Sequence, residues 1–101
     1  MSPHKKIYLD CLGYTEGDFI ACEVCQSPAV DIHAIEGDGM GGRPSKSTHT
    51  IENLMALCRK HHEEYGQKKH YKSWLYKVHQ QKLEAVGFFS DKFEKLIEQC
   101  S

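Results

Sequence analysis

A chain of 101 residues has room for one domain, residues 1–101, and little room for a second. A domain of this size buries a modest core, so we expect an additional crosslink such as a bound metal. The formal net charge is −1, from 13 basic and 14 acidic residues. This balance excludes a protein that coats nucleic acid through a uniformly basic surface, and any contact with DNA must come from a local patch.

Hydropathy and cysteine content indicate where such a protein works. No apolar stretch is long enough to span a bilayer, and residues 1–6 are polar and basic with no apolar run behind them. We therefore expect a cytoplasmic protein that does not contact a membrane. Five cysteines with one tight Cys-x-x-Cys pair favour metal binding over a disulfide framework. Cys11 and Cys100 lie outside any motif, and we expect both to be buried thiols.

The N-terminal segment, residues 1–21, predicts one short helix. Apolar side chains recur from Ile7 to Leu12, and Gly13 ends the pattern. The central segment, residues 22–66, opens with the first cysteine pair.

The central segment then predicts a β-hairpin followed by a helix. Residues 29–35 alternate as a β-strand does. A glycine-rich loop follows at residues 36–49. Residues 53–58 fit either a short strand or a helix capped by Thr50, and we favour a strand that closes the hairpin. A helix then runs from about residue 59 to 65. In the first strand we expect Val30 and Ile32 on one face and Asp31 and His33 on the other.

The C-terminal segment, residues 67–101, predicts two amphipathic helices. Apolar residues recur at helical spacing over residues 71–83, and Gly87 follows them. Ser90 is placed to cap the second helix. We interpret both apolar stripes as core and docking surface. Three histidines without a motif partner are expected to face solvent, namely His49, His70 and His79.

Two pairs of metal-ligating residues stand at the spacing of a zinc knuckle, Cys22-x-x-Cys25 and Cys58-x-x-His61. Structural zinc takes four thiolate or imidazole ligands in a tetrahedron. A gap of two residues lets a tight turn present both side chains to one ion. We therefore predict a structural Zn²⁺ site from these four residues. His62 is adjacent and could reach the same ion, but the shared spacing favours His61.

The order of these motifs resembles the HNH endonucleases, in particular the small zinc-containing ones of bacteria and their phages. The motifs are the first knuckle, the strand with Asp31-Ile-His33-Ala-Ile35, a loop with Gly41-Gly42, Asn53-Leu54, and the second knuckle followed by His62. They cover about residues 7–75. The resemblance implies an α+β fold with a ββα-metal core beside the knuckle and additional C-terminal helices. It also implies an enzyme, a metal-dependent DNA endonuclease encoded by a bacterium or a phage.

The resemblance implies roles for three residues. His33 would bind a catalytic divalent cation, which would be Mg²⁺ or another ion such as Mn²⁺ or Ni²⁺. His62 would contact that cation or the scissile phosphate, and Asn53 would orient the hairpin loop or touch the metal. Phosphodiester hydrolysis needs an activated water, and a cation to neutralise charge on the phosphorane and the leaving oxygen.

This sequence departs from the family at the general base. The family keeps a histidine after the position of His33, and this chain has Ala34, which accepts no proton. We therefore expect a strongly impaired enzyme. Ala34 is an engineered His-to-Ala change, a natural loss, or the sign of a shifted register with His33 as base and Asp31 as metal ligand. We favour the first, because the motifs around Ala34 are intact and the family pair is adjacent on the strand.

Two further functions stay open. A natural pseudo-nuclease would be a zinc-stabilised module that binds DNA or a protein without cutting, and the domain could also be purely structural. If DNA is the partner, we expect mainly backbone contacts and low sequence specificity. The sequence leaves open whether a protein partner or a homodimer is involved. The candidates for phosphate contacts are Arg43, Lys46, Arg59 and Lys60.

Overall fold

Helices pack around a small antiparallel sheet in the computed structural model, which describes residues 3–36, 50–65 and 69–99. The strands are β1 (Asp31–Ala34) and β2 (Leu54–Leu57). Two short 3₁₀ turns, Ile51–Asn53 and Lys69–Tyr71, precede β2 and the third helix. The predicted α+β class is confirmed at this level. The helices of the described residues are α1 (Pro3–Leu12), α2 (Arg59–Tyr65), α3 (Lys72–Ala85) and α4 (Lys92–Gln99).

The hairpin lies at the centre of the core. β1 and β2 pair antiparallel, with His33 opposite Met55 and Ala34 opposite Leu54. All four residues of β2 are buried. β1 pairs with one edge of β2, and the first cysteine loop pairs with the other. There the backbone N–H of Glu23 donates to the carbonyl oxygen of Ala56 at 3.0 Å. The strands and the helix after them occur where the sequence predicts them, although the paired segment is shorter.

The two faces of β1 differ from the predicted alternation. Val30 lies before the first paired residue and is 61% exposed, whereas Ile32 is buried. On the other face Asp31 is exposed but His33 is buried. The cause is α2, which packs on β1 and places the His62 ring 5.0 Å from the His33 ring. This face is therefore covered at His33 and open at Asp31.

The C-terminal helices complete the core as predicted. Leu75 and Leu83 of α3 and Phe93 of α4 are buried against the hairpin and α1. Ser90 caps α4, since its hydroxyl oxygen accepts the backbone N–H of Lys92 at 3.2 Å. Among the described residues, no helix has the length and apolar character that crossing a membrane requires.

A buried polar network joins the first cysteine loop to three other elements. Glu23 Oε2 accepts the Tyr8 hydroxyl at 2.6 Å and the Ala56 backbone N–H at 3.1 Å. Glu23 Oε1 lies 2.8 Å from His79 Nδ1, and His79 Nε2 lies 2.6 Å from the carbonyl oxygen of Ile51. Nε2 must therefore carry a hydrogen, and a further proton must lie between Nδ1 and Oε1. Burial and the Glu23 carboxylate raise the pKa of Tyr8 far above its usual range.

Two sequence predictions about single residues are wrong. His79, expected to face solvent, is fully buried, because its partner Glu23 comes from a segment 56 residues away. Cys11, expected to be buried, is exposed, because Tyr8 and Leu9 take the inner face of α1. Cys100 and His49 lie outside the described residues.

We expect Glu23→Gln to lower the free energy of unfolding by about 2 kcal/mol, because the amide that replaces the carboxylate has a buried N–H without an acceptor. Chemical denaturation of the zinc-loaded protein measures the change. Glu16→Gln, at an exposed position of similar charge, should shift the same quantity by less than about 0.5 kcal/mol. Equal stability of the Glu23→Gln and Glu16→Gln variants would contradict a stabilising role for the network.

Candidate metal centre

The first cysteine pair lies on a tight turn closed by backbone hydrogen bonds. The N–H of Cys22 donates to the carbonyl oxygen of Ser27 at 2.7 Å, and the N–H of Gln26 donates to that of Cys22 at 2.9 Å. Gln26 adopts a φ of 70°, which is uncommon for a residue with a side chain and lets the chain reverse here. The turn leaves Cys22 buried and Cys25 exposed.

The second pair lies where β2 meets α2. Cys58 directly follows β2, and its carbonyl oxygen accepts the N–H of His62 at 2.8 Å as the first helical hydrogen bond. Cys58 and His61 are three residues apart on this first turn, and residues at that spacing share a helix face. The start of the helix thus brings both side chains to the first cysteine pair.

The four side chains converge at the spacing that a tetrahedral ion needs. Cys25 Sγ lies 3.8 Å from Cys58 Sγ, and His61 Nδ1 lies 3.4 Å from Cys58 Sγ and 3.7 Å from Cys22 Sγ. Zinc–ligand bonds of about 2.3 Å to sulfur and 2.0–2.1 Å to nitrogen require separations of about 3.8 Å (S···S) and 3.6 Å (S···N). The measured distances fit, so this Cys₃His cluster can hold a metal such as zinc.

The cluster stands apart from other groupings of possible ligands. All four ligand atoms lie within 4.8 Å of one another. Within residues 3–36, 50–65 and 69–99, no other set of three or more Cys, His, Asp or Glu side chains meets this distance. The predicted zinc ligands are therefore the ones that the fold assembles.

The surroundings of Cys22 and Cys25 shift the pKa values of their thiols in opposite directions. Hydrogen bonds from the hydroxyl and backbone of Ser27 lower the pKa of Cys25 to about 6. Burial raises the pKa of Cys22. Because zinc binds the thiolate, the lowered pKa of Cys25 favours binding, whereas Cys22 would release its proton to solvent when a metal binds.

The adjacent histidines point to different places. The His61 ring lies with the cysteines and stacks on Tyr65, with ring centroids 5.5 Å apart and planes 4° from parallel. His62 turns toward β1, where its Nε2 lies 3.5 Å from Asp31 Oδ2 and its ring contacts that of His33. The structure therefore places His61, and not His62, in the metal cluster.

Asn53 holds the backbone of Glu36, just after the end of β1. Its Oδ1 accepts the backbone N–H of Glu36 at 2.8 Å and the Tyr76 hydroxyl at 2.8 Å, while its Nδ2 donates to the carbonyl oxygen of Glu36 at 3.0 Å. Both lone pairs of Oδ1 are used, so this oxygen offers no position to a cation. Of the two roles that the sequence leaves open for Asn53, the geometry favours orienting the loop.

Sequence reasoning missed two α3 residues that hold this loop. Tyr76 is fully buried and donates to Asn53, and Lys72 Nζ lies 3.2 Å from Glu36 Oε2. They are four residues apart and so share a helix face. The available signal was the tyrosine within an apolar stripe, because a buried tyrosine hydroxyl usually has a partner.

The remaining predicted site residues lie around these groups. Ala34 is half-buried, and as the neighbour of His33 on a strand its side chain lies on the opposite face of β1. Arg59 and Lys60 are exposed on the first turn of α2, and Arg59 lies 4.0 Å from Glu63. Arg43, Lys46 and the Gly41-Gly42 pair lie outside the described residues.

Comparison with protein-family models, with curated proteins and with solved structures finds no match for this chain. Inference about its function therefore depends on its own residues and their geometry.

We expect the purified protein to carry about one equivalent of zinc and to lose it in Cys58→Ser, because a structural zinc site needs four ligands. The folded state should be lost together with the metal, since zinc-binding energy is folding energy in a small domain. Metal analysis and circular dichroism measure the two effects. Cys11→Ser is the matched control: its thiol is exposed and outside the cluster, so zinc content and fold should be unchanged. Full zinc retention in Cys58→Ser would contradict the site.

A second prediction separates the neighbouring histidines. His61→Ala should reduce bound zinc well below one equivalent, whereas His62→Ala should retain it, because only the His61 ring lies among the thiols. Elemental analysis after extensive dialysis measures zinc in both variants. The reverse pattern would show that His62 is the fourth ligand.

Proposed function

We propose that this chain has an HNH-type DNA endonuclease fold with one catalytic divalent cation and that Ala34 strongly impairs its activity. The observation that carries the proposal is the proximity of two histidines from different elements. His33 of β1 and His62 of α2 have ring centroids 5.0 Å apart, and His62 directly follows His61 of the Cys₃His cluster in sequence. In the proposed ββα-metal core, these two side chains hold the cation between the hairpin and α2.

The position of His62 follows from that of the cluster. Cys58 and His61 fix the first turn of α2 against the first cysteine loop, and the next residue then faces β1. A metal bound by the knuckle would therefore act as scaffold for the proposed catalytic site. Asn53 supports the same site from the other end of the hairpin, since it holds the backbone of Glu36 just after β1.

The proposed reaction divides into tasks for separate residues. When bound, a divalent cation supplies charge stabilisation for the phosphate and the leaving oxygen. The His62 side chain is 32% exposed, so a phosphate can reach it, whereas His33 is only 6% exposed and lies deeper. Accepting a proton from water would fall to the residue at position 34, where alanine has no atom that can do so.

Phosphate contacts in this proposal come from the start of α2. Arg59 and Lys60 are exposed three and two residues before His62, respectively. Their position supports contacts to the DNA backbone, which carry little sequence information. Arg43 and Lys46 stay predictions for the same role.

One observation favours the alternative of a binding module without activity. Ala34 is half-buried and packs against the core cluster, a place that a methyl group fills. A natural pseudo-nuclease would keep the knuckle and bind DNA or a protein without cutting. The two proposals differ in what happens when the missing imidazole is supplied.

We expect Ala34→His to gain nicking activity on supercoiled plasmid DNA with Mg²⁺, Mn²⁺ or Ni²⁺, because a general base contributes about 10²–10⁴-fold. The double variant Ala34→His/His62→Ala is the control: it should retain zinc but not cleave. A folded, zinc-loaded Ala34→His protein that cleaves with none of the three cations would contradict the nuclease proposal and favour the binding module.

A further inference from the structure

Asp31 brings a carboxylate to the same point as His62. Its Oδ2 lies 3.5 Å from His62 Nε2, and the two side chains are 56% and 32% exposed. Asp31 comes from the open end of β1, and His62 comes from α2. Two elements therefore present one oxygen and one nitrogen to solvent, side by side and next to the buried ring of His33.

We propose that Asp31 is a ligand of the divalent cation and shares it with His62. This inference rests on the proposed function, because an HNH-type nuclease requires a catalytic divalent cation in addition to the zinc. Oxygen and nitrogen ligands about 2.1 Å from one ion lie about 3.0–3.4 Å apart, from octahedral to tetrahedral angles. The 3.5 Å between Asp31 Oδ2 and His62 Nε2 is about 0.1 Å above this range, so a small side-chain movement would let both atoms bind one ion.

The carboxylate determines which class of cation the site prefers. Imidazole ligands alone suit zinc, copper and nickel, whereas carboxylate oxygens suit magnesium and manganese. Asp31 also supplies a negative charge to a site that otherwise has neutral imidazoles. The proposed site therefore favours Mg²⁺ or Mn²⁺, while the thiolates of the Cys₃His cluster favour zinc.

The surroundings of Asp31 leave room for the water molecules that such an ion retains. A Mg²⁺ ion keeps several waters and takes only one or two carboxylates from the protein. The side chains of Asp31 and His62 are 56% and 32% exposed, so water can reach an ion held by both. The carboxylate thus meets solvent on one side and His62 on the other.

A simpler role for Asp31 would be to orient His62 by accepting a hydrogen bond from its ring. Asp31→Asn distinguishes the roles, because its amide oxygen can still accept a hydrogen bond but carries no charge. The position is exposed, so the change should leave the fold intact. Glu63→Gln is the matched control, since it removes one negative charge from the residue next to His62 and is 70% exposed.

The experiment measures Mn²⁺ binding to the zinc-loaded protein by electron paramagnetic resonance and calorimetry at about pH 8, where an imidazole is neutral. Mn²⁺ is a poor competitor for thiolates and should leave the knuckle zinc in place. We expect Asp31→Asn and His62→Ala to weaken Mn²⁺ binding by at least about 10-fold. Glu63→Gln should change it by less than about threefold. Affinity for Ni²⁺ should fall less than affinity for Mn²⁺ in Asp31→Asn.

Unchanged Mn²⁺ affinity in Asp31→Asn would overturn the proposal, as would absence of Mn²⁺ binding to the parent chain. The nuclease proposal is judged separately by the Ala34→His variant. If Ala34→His cleaves DNA and Asp31→Asn binds Mn²⁺ as tightly as the parent chain, the nuclease proposal stands and Asp31 is not a ligand. If Asp31→Asn loses Mn²⁺ binding and Ala34→His does not cleave DNA, the cation site is supported and the nuclease proposal is rejected.

Discussion

The rest of this fold depends on the hydrogen bonds that the buried carboxylate of Glu23 makes. In sequence, Glu23 stands between the two cysteines of the first knuckle. Its Oε2 accepts hydrogen bonds from α1 and β2, and its Oε1 faces His79 of α3. A fully buried carboxylate is costly unless its oxygens are paired. The four elements must therefore meet in one arrangement, and that arrangement fixes the turn carrying Cys22 and Cys25. A metal in the Cys₃His cluster would act on the same short segment as the carboxylate, so metal binding and core packing should be lost together.

Contacts from α3 and from the Cys₃His cluster also position the proposed catalytic residues. α3 reaches both ends of the turn before β2, through the carbonyl oxygen of Ile51 and the amide of Asn53. The Cys₃His cluster fixes the first turn of α2. His33 and His62 thus lie on elements that are each held at a defined point by groups outside the site. Small displacements of catalytic groups cost large factors in rate, so a small domain gains from such external support.

Local spacing explains which features the sequence could predict. The zinc ligands follow from two pairs with the same gap, and the hairpin and helices follow from periodicity and from the glycines that interrupt it. The pairing of Glu23 with His79 could not be predicted, because the two residues are 56 positions apart and neither belongs to a repeating pattern. The burial of His33 depends on the packing of α2 across β1, and the alternation of residues within one strand carries no information about that packing. The exposed thiol of Cys11 likewise depends on which face of α1 meets the core.

In the proposed site, the β1 residues that would bind the cation and the residue at the general-base position lie on opposite faces of the strand. Asp31 and His33 share the strand face that meets His62, whereas Ala34 lies on the opposite face. If position 34 is the general base, as proposed, a change there would remove the proton acceptor without removing any group that would hold the cation. Under the proposed function, this chain retains the means to bind a divalent ion and a DNA phosphate but lacks the group that activates water. Binding without cleavage is then the expected behaviour of the present sequence, whether Ala34 is an engineered change or a natural loss.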